Sequence, residues 1–290
     1  MSIVISLDNL RTFKELLNAQ RVFDMWPDGA EAHNAMWGGR DITAAFNNGT
    51  VSANIKNGTF KDIFPGDYIT KQVTIPQVLA DDGTTELFAG GTYTVHWVVT
   101  DCDYWINKSA GVPMTAHHVA IVPQAPIFNA RMNSDDTTEG AYAESEMFKK
   151  VIPACTEGIV DAFGSDHILR FDDDISVRVD TSHVSSGIPQ WTGTPEWTDG
   201  WESVLCNLMS EKMVYGAPVC SAGAIDNAVA TRQMSAFRLS EKLINYNMQS
   251  YWLRDVASSE AFACMNGNGA ADANRASYSW LGVRPFALLA

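Results

Sequence analysis

The C-terminal segment of the chain, residues 251–290, has strongly patterned ends and a loosely patterned middle. It opens with Tyr251–Arg254 (YWLR) and closes with Gly282–Pro285 (GVRP) before a last apolar run. Between these ends lie Asn266-Gly267 and Asn268-Gly269, which favour tight turns because Asn and Gly tolerate positive φ. The pattern predicts a short hairpin system held by a fixed frame, with a binding face formed by the outward side chains.

The two end motifs resemble those of a phage-associated domain of unknown function that has a C-type-lectin-like fold. Similar C-terminal segments occur in the variable proteins of diversity-generating retroelements, of which the phage major tropism determinant is the best-known relative. Further similarities lie upstream in the family's order and bring the resemblance to residues 55–290. They are Phe60–Tyr68 (FKDIFPGDY), Thr115–His118 (TAHH), Met132-Asn133, Asn207–Ser210 (NLMS) and Phe237–Leu239 (FRL).

The resemblance implies an α+β fold in which a twisted antiparallel sheet carries two helices. The C-type-lectin-like domain is expected over residues 56–290, with residues 251–290 as its display segment. Alternating or continuous apolar residues predict strands at 68–73, 91–100, 119–123, 201–209 and the end of the chain. The small N-terminal segment, residues 1–55, either attaches the protein to a virion or a sister subunit, or packs on the domain.

Two helices are predicted in the middle of the chain. Residues 135–139 offer several N-caps for a helix over residues 141–151. Pro153 then occupies a tolerated first-turn position of a second helix, which runs to Phe163 and ends at Gly164.

Charge and cysteine usage exclude several classes of function. The 20 basic and 34 acidic residues give a net charge of −14, which argues against nucleic acid or an anionic membrane as a main partner. No apolar run approaches the about eighteen residues of a membrane span, so membrane insertion is not expected. The 5 cysteines form no C-x-x-C pair and indicate buried thiols made in a reducing cytoplasm.

Other candidate sites have plain structural interpretations. Asp172–Asp174 could bind calcium, but consecutive carboxylates do not reproduce an alternating D-x-D-x-D loop, so a solvated turn is predicted. His117 and His118 point to opposite sides of an extended chain, which favours a histidine bonded to backbone over a metal site. Trp191, Trp197 and Trp201 could stack on sugars, cover the core or mediate trimer contacts.

No catalytic motif is present. The chain has no G-x-S-x-G, P-loop, H-E-x-x-H or Rossmann pattern. Cys264 invites comparison with the formylglycine-generating enzymes, which share the lectin-like architecture, but no second cysteine lies near it in sequence. We therefore expect a protein that is not an enzyme, with no cofactor and no metal.

The candidate ligand contacts lie between the two end motifs. Tyr, Trp and Arg would supply most of the affinity, while Asn and Ser adapt their hydrogen bonds. The candidate contacts are Glu260, Met265, Asn266, Asn268, Asp272, Asn274, Arg275, Ser277, Tyr278 and Trp280. The expected scaffold of the segment is Trp252, Arg254, Gly282 and Arg284.

The function that the resemblance implies is recognition of a host cell-surface protein or glycan by a phage virion protein. Such a protein is made in the bacterial cytoplasm and released by lysis. Its other partners would be virion proteins, through residues 1–55, and further copies of itself, with a trimer favoured. The alternative is a structural virion component, such as a head fibre, a decoration protein or a tail-tip protein, without a ligand of its own.

Overall fold

The structure is a computed structural model that describes Asn34 and residues 38–108, 111–177, 200–221 and 232–290. In these residues the fold is mixed α/β, with mostly antiparallel strands and few, short helices. None of the helices in the described ranges has the length and apolar character needed to cross a membrane.

The first sheet has six antiparallel strands, and the last strand of the chain lies in its interior. Its strands are β1 (Tyr68–Ile75), β4 (Gly91–Cys102), β5 (Val119–Pro123), β15 (Pro285–Leu289) and β10 (Cys206–Leu208), in that order, with β7 (Ile168–Leu169) also paired to β15. Every residue of β15 is buried. The strand predictions at 68–73, 91–100, 119–123 and the chain end are therefore confirmed.

The second sheet holds the display segment. Its order is β13 (Ala271–Arg275), β12 (Ala261–Met265), β11 (Tyr251–Val256), β14 (Gly282–Val283) and β6 (Phe128–Asn129). The β11–β14 pair is parallel and the other pairs are antiparallel. Two further antiparallel sheets have two strands each: β2 (Val78–Leu79) with β3 (Glu86–Phe88), and β8 (Phe171–Asp174) with β9 (Trp201–Val204). The strand predicted at 201–209 is thus two strands, β9 and β10.

The first sheet is buried on both faces. On β5 and β15, Ile121 and Leu289 pack into one apolar cluster, and Val122 and Phe286 pack into another on the opposite side. Strands covered on both faces have continuous apolar sequences, because neither face meets water. This explains the unbroken apolar runs at 119–122 and 286–289.

From residue 38 onward, the α-helices of the described ranges are α1 (Thr43–Asn47), α2 (Thr50–Lys56), α3 (Ile152–Phe163), α4 (Glu211–Tyr215), α5 (Ser235–Leu239) and α6 (Glu241–Ile244). The prediction of α3 is confirmed, with Pro153 in its first turn and Gly164 after its end at φ 94°. Gly164 reaches this φ without a steric cost because it has no Cβ. The helix packs against β1 and β10 of the first sheet.

The helix predicted over residues 141–151 is wrong. Residues 139–144 form turns, and only Met147–Val151 is helical, as a π-helical turn that leads directly into α3. Ala141 has a positive φ of 57°, and the Ala143 N–H bonds to Ser176 O at 3.0 Å instead of to a preceding turn. Contacts with distant residues have overridden the local capping signals.

The described part of the N-terminal segment packs on the sheet. Asp41 forms a parallel bridge to Tyr68 at the edge of β1, and the α2 residues Val51 and Ile55 are buried in the core. The Phe46 ring meets the Phe163 ring edge-on at 5.6 Å between centroids. Trp191 and Trp197 lie outside the described residues.

Candidate functional site

The four residues expected to hold the display segment are all buried. Arg284 is 1% exposed and donates three hydrogen bonds to backbone carbonyls, at Pro123 (2.8 Å), Ile244 (3.0 Å) and Leu243 (2.7 Å). Its guanidinium also lies 4.8 Å from the centroid of the Tyr251 ring, within cation–π range. Arg284 thus joins β14 to the end of β5 and to α6.

Trp252 and Gly282 connect the same frame to the chain around residues 126–130. The indole Nε1 of Trp252 donates to Ala130 O at 2.8 Å. A Cβ on Gly282 would lie 2.3 Å from Pro126 Cβ, so only glycine lets β14 approach this closely.

Arg254 is bonded to the acidic cluster on β8. It forms a buried ion pair with Asp173, whose Oδ2 also accepts from the Asn207 amide at 2.8 Å. The Tyr142 hydroxyl completes the network by donating to Asn207 Oδ1 at 2.7 Å. The predicted solvated turn at Asp172–Asp174 is therefore wrong: these residues belong to β8, and Asp173 is 0% exposed.

The central part of the display segment is a hairpin, as its Asn-Gly pairs predict. Strands β12 and β13 are joined through a turn in which Asn266 N–H donates to Ala270 O at 2.8 Å. The turn is tied to the body of the protein, because Asn245 Nδ2 donates to Gly267 O at 2.7 Å and Tyr215 OH donates to Gly269 O at 3.2 Å. The hairpin is therefore fixed at its tip as well as at its base.

Nine of the ten candidate contacts reach the surface. The exposed ones are Glu260, Asn268, Arg275, Tyr278 and Trp280. The half-buried ones are Asn266, Asp272, Asn274 and Ser277. We call these nine residues the display face.

The expectation that Met265 lies on this face is wrong. Its side chain is 0% exposed and packs in the cluster that contains Tyr251 and Leu253. Strand β12 is covered on both sides, with Phe262 and Cys264 in the other cluster. The strand therefore has no outward face, and Met265 belongs to the frame.

Cys264 is also part of the interior. It is 0% exposed, and its sulfur accepts a hydrogen bond from Asn274 Nδ2 at 3.0 Å. Burial raises the pKa of the Cys264 thiol to about 12, so at neutral pH it is protonated and a poor nucleophile. No disulfide joins any of the five cysteines; Cys155 and Cys206 are buried as predicted for core thiols, whereas Cys102 and Cys220 are half-buried.

The exposed aromatic side chains of the display face are Tyr278 and Trp280, which are 38% and 54% exposed. Their ring centroids are 6.1 Å apart at an interplanar angle of 38°. The two rings therefore present a continuous aromatic surface. Such surfaces bind both the C–H faces of sugars and protein side chains.

A loop from the middle of the chain, residues 133–140, lies against the display face. Asp136 accepts from Arg275 NH1 at 3.1 Å, from Ser277 Oγ at 2.6 Å and from Ser277 N at 3.2 Å. The Ser277 hydroxyl is the main cause that lowers the pKa of Asp136 from its usual range. Sequence reasoning missed this contact, because an Asp-Asp-Thr-Thr run is equally typical of helix caps.

One histidine of the pair, His118, has the backbone role predicted for it, whereas His117 Nδ1 faces the Asp103 carboxylate at 2.8 Å. His118 is buried; its Nε2 accepts from the Trp105 N–H at 2.9 Å and its Nδ1 faces Ala116 O at 2.9 Å. This geometry requires the neutral tautomer with the proton on Nδ1. Within the described ranges, no three His, Cys, Asp or Glu side chains are grouped so that they could hold a metal ion.

Comparisons of the chain with protein-family models, with curated proteins and with solved structures find no match.

Proposed function

We propose that this chain is a phage virion protein that recognises a host cell-surface protein or glycan through the display face. The observation that carries this proposal is the contrast between frame and face within residues 251–290. Trp252, Arg254 and Arg284 are at most 3% exposed, whereas Trp280 is 54% exposed. Side chains on such a face can be exchanged without repacking the core, and a rigid support lowers the entropy lost on binding.

We also propose a C-type-lectin-like fold for residues 56–290. Two features support it: the curled antiparallel sheets and the placement of the last strand, β15, inside the first sheet. The α3 helix, which packs against β1, would correspond to one of the two helices of that fold. The α1–α2 pair, whose Phe46 meets Phe163 of α3, belongs to the N-terminal segment rather than to the proposed domain.

The proposal includes assembly into the virion. Residues 1–55 would dock onto other virion proteins through the surface that remains after α1 and α2 pack on the first sheet, and the copies would form a trimer. The protein would be made in the bacterial cytoplasm, released by lysis, and would act without a catalytic step. A virion mass spectrum tests the location directly, since a virion protein is present in purified particles.

Binding to intact bacteria tests the recognition step. Purified full-length protein is incubated with a panel of bacterial strains, and the Tyr278→Ala/Trp280→Ala variant is compared with the wild type. We expect at least a tenfold loss of binding, because exposed aromatic residues dominate interface energetics. The matched control is Val112→Ala, an exposed apolar residue on the connection between β4 and β5.

Equal binding by the wild type and the aromatic double variant would overturn the proposal. Presence in the virion without binding to any strain would instead favour the structural alternative, a head fibre, decoration or tail-tip protein. Diversification is tested in the neighbouring DNA. A near-copy of the codons for residues 251–285 beside a reverse transcriptase gene is the expected arrangement.

A further inference from the structure

The loop at 133–140 and the hairpin region at 258–280 form one continuous surface. Besides the Asp136 contacts, Thr138 N–H donates to Ser259 O at 3.0 Å and Thr138 Oγ1 donates to Ser258 O at 2.7 Å. Asn133 N–H also bonds to Ala276 O, at 3.0 Å. The loop is therefore held along the whole side of the display face rather than at one point.

This combined surface is strongly acidic. Residues 133–140 and 258–280 contain five carboxylates and one basic side chain, Arg275. The carboxylates are Asp135, Asp136, Glu139, Glu260 and Asp272. Three of them, Asp135, Glu139 and Glu260, are exposed.

Neighbouring cations are already engaged by carboxylates. Arg275 pairs with Asp136, with 3.1 Å between Arg275 Nη1 and Asp136 Oδ2. Arg131, next to the loop, lies 3.5 Å from Glu146 through its Nε. Asp272 accepts from the Asn266 amide at 3.2 Å, a neutral donor that leaves the negative charge of Asp272 in place.

The aromatic surface of Tyr278 and Trp280 lies at the edge of this acidic region. Tyr278 N–H donates to Arg275 O at 3.0 Å, which places the aromatic pair directly after the Asp136–Arg275 contact. Ring faces attract cations through their quadrupole, and Arg also stacks on them. Carboxylates beside aromatic rings therefore fit Lys and Arg side chains, and they repel anionic groups.

We propose, on the basis of the function proposed above, that loop 133–140 and the display face form a composite recognition surface whose partner is a protein surface rich in lysine and arginine. The charge is spread over several positions on both segments, which matches a partner with several separated cations. Arg and Lys supply the charge and can also cover the aromatic pair. The loop would provide an acidic part of the site outside the C-terminal segment.

Selection from a random peptide library displayed on yeast tests this proposal without a known ligand. The immobilised full-length protein is the bait. We expect the selected peptides to be enriched in Lys and Arg, and their binding to fall at least tenfold between 50 and about 500 mM salt, because exposed charge pairs are screened. Binding should also fall in the Tyr278→Ala/Trp280→Ala variant.

The contribution of the loop is tested by matched charge removal. The variant Asp135→Asn/Glu139→Gln removes two charges from the loop, and we expect it to weaken peptide binding about three- to tenfold. The control Glu157→Gln/Asp161→Asn removes two exposed charges from α3, against the other sheet, and should leave binding unchanged.

The remaining outcomes of the selection contradict either this inference or the display face itself. Peptides without an excess of Lys and Arg that still require Trp280 would overturn this inference and leave the proposed function in place. Peptides that bind the aromatic double variant as well as the wild type would count against the display face itself. Equal effects of the loop and α3 variants, or no selected peptide at all, would refute the composite surface.

Discussion

At the scale of single residues, the buried pair between Arg254 and Asp173 carries the largest expected effect. Removing the cation takes away the charge partner of Asp173, which is 0% exposed in the interior. We expect Arg254→Met to lower the free energy of unfolding by about 3–5 kcal/mol. Equilibrium unfolding in urea measures this loss.

The matched control is the exposed pair between Lys149 and Glu144, whose side chains are 48% and 58% exposed. Because water screens this pair, Lys149→Met should change the free energy of unfolding by about 0–1 kcal/mol. Similar losses in the two variants would show that Arg254 does not have the structural role assigned to it.

His118 predicts a pH dependence of stability. Burial lowers the pKa of its imidazole below the usual value of 6.5. Between the two pKa values the unfolded chain binds a proton that the folded protein does not, so stability decreases as the pH falls below about 6.5. We expect the Tm of the wild type to decrease between pH 7.5 and 5.5.

A glutamine at position 118 provides the comparison, because its amide can donate and accept but does not titrate. His118→Gln should start from a lower Tm and lose less of it over the same pH range. An identical pH-dependent loss in the wild type and the variant would assign the effect to other groups.

At the scale of secondary structure elements, Gly282 controls how closely β14 packs. A Cβ at this position would lie 2.3 Å from Pro126 Cβ and 3.1 Å from Ser250 O. Since the Pro126 contact is far shorter than real Cβ contacts and the Pro126 ring is rigid, β14 and the segment around Pro126 must move apart. We expect Gly282→Ala to destabilise the protein by about 1–3 kcal/mol, measured by urea unfolding.

Gly111→Ala is the corresponding control. A Cβ there meets no described atom within 4 Å, and its φ is not in the left-handed region. The change should therefore alter the free energy of unfolding by less than about 1 kcal/mol. A loss at Gly111 as large as that at Gly282 would show that the close approach of β14 is not the cause.

Elements whose signals are local could be predicted from the sequence. Pro153 and Gly164 mark the two ends of α3, because proline fixes φ and glycine permits the positive φ after the helix. The Asn-Gly pairs mark the hairpin turn, because Asn and Gly tolerate turn conformations. The helix predicted over residues 141–151 is wrong because the contacts that shape this segment are distant in sequence. The backbone of this segment bonds to Ser176 and the buried Tyr142 hydroxyl bonds to Asn207, contacts that no local pattern contains.

The same distinction applies to the candidate site. A hairpin with one outward face predicts an exposed Met265, whereas β12 is covered on both faces. The sequence of Asp172–Asp174 predicts a polar turn. The partner of Asp173 is Arg254, which lies 81 positions away in the chain, so no local pattern indicates that the pair is buried. A hydropathy pattern does not predict a buried charge, because the partners of the charged group decide whether its burial is tolerated.

At the scale of the whole molecule, the sequence predicts most strands of the first sheet and the frame of the display segment. It does not predict which distant segments contact each other. The contact between Asp136 and Ser277 spans 141 positions. Neither segment carries a pattern that points to the other. The proposed recognition surface therefore extends beyond the C-terminal segment that the sequence motifs delimit.

The division between frame and face has a consequence for the stability of the whole protein. Glu260, Asn268, Arg275, Tyr278 and Trp280 are exposed, so replacing one of them with serine should change the free energy of unfolding by about 0.5 kcal/mol or less. Since most of these positions do not contact one another, their effects should nearly add. We expect the fivefold variant to lose at most about 2–3 kcal/mol.

A single substitution in the frame should lower the free energy of unfolding by as much as all five substitutions on the display face. Met265→Ala removes a side chain that is 0% exposed, and creating such a cavity costs about 2–5 kcal/mol. Urea unfolding of both variants provides the comparison, with ligand binding as a second readout. The fivefold variant should fold and fail to bind, whereas Met265→Ala should bind once folded. If the fivefold variant does not fold, its side chains are part of the core, and an exchangeable recognition face is no longer tenable.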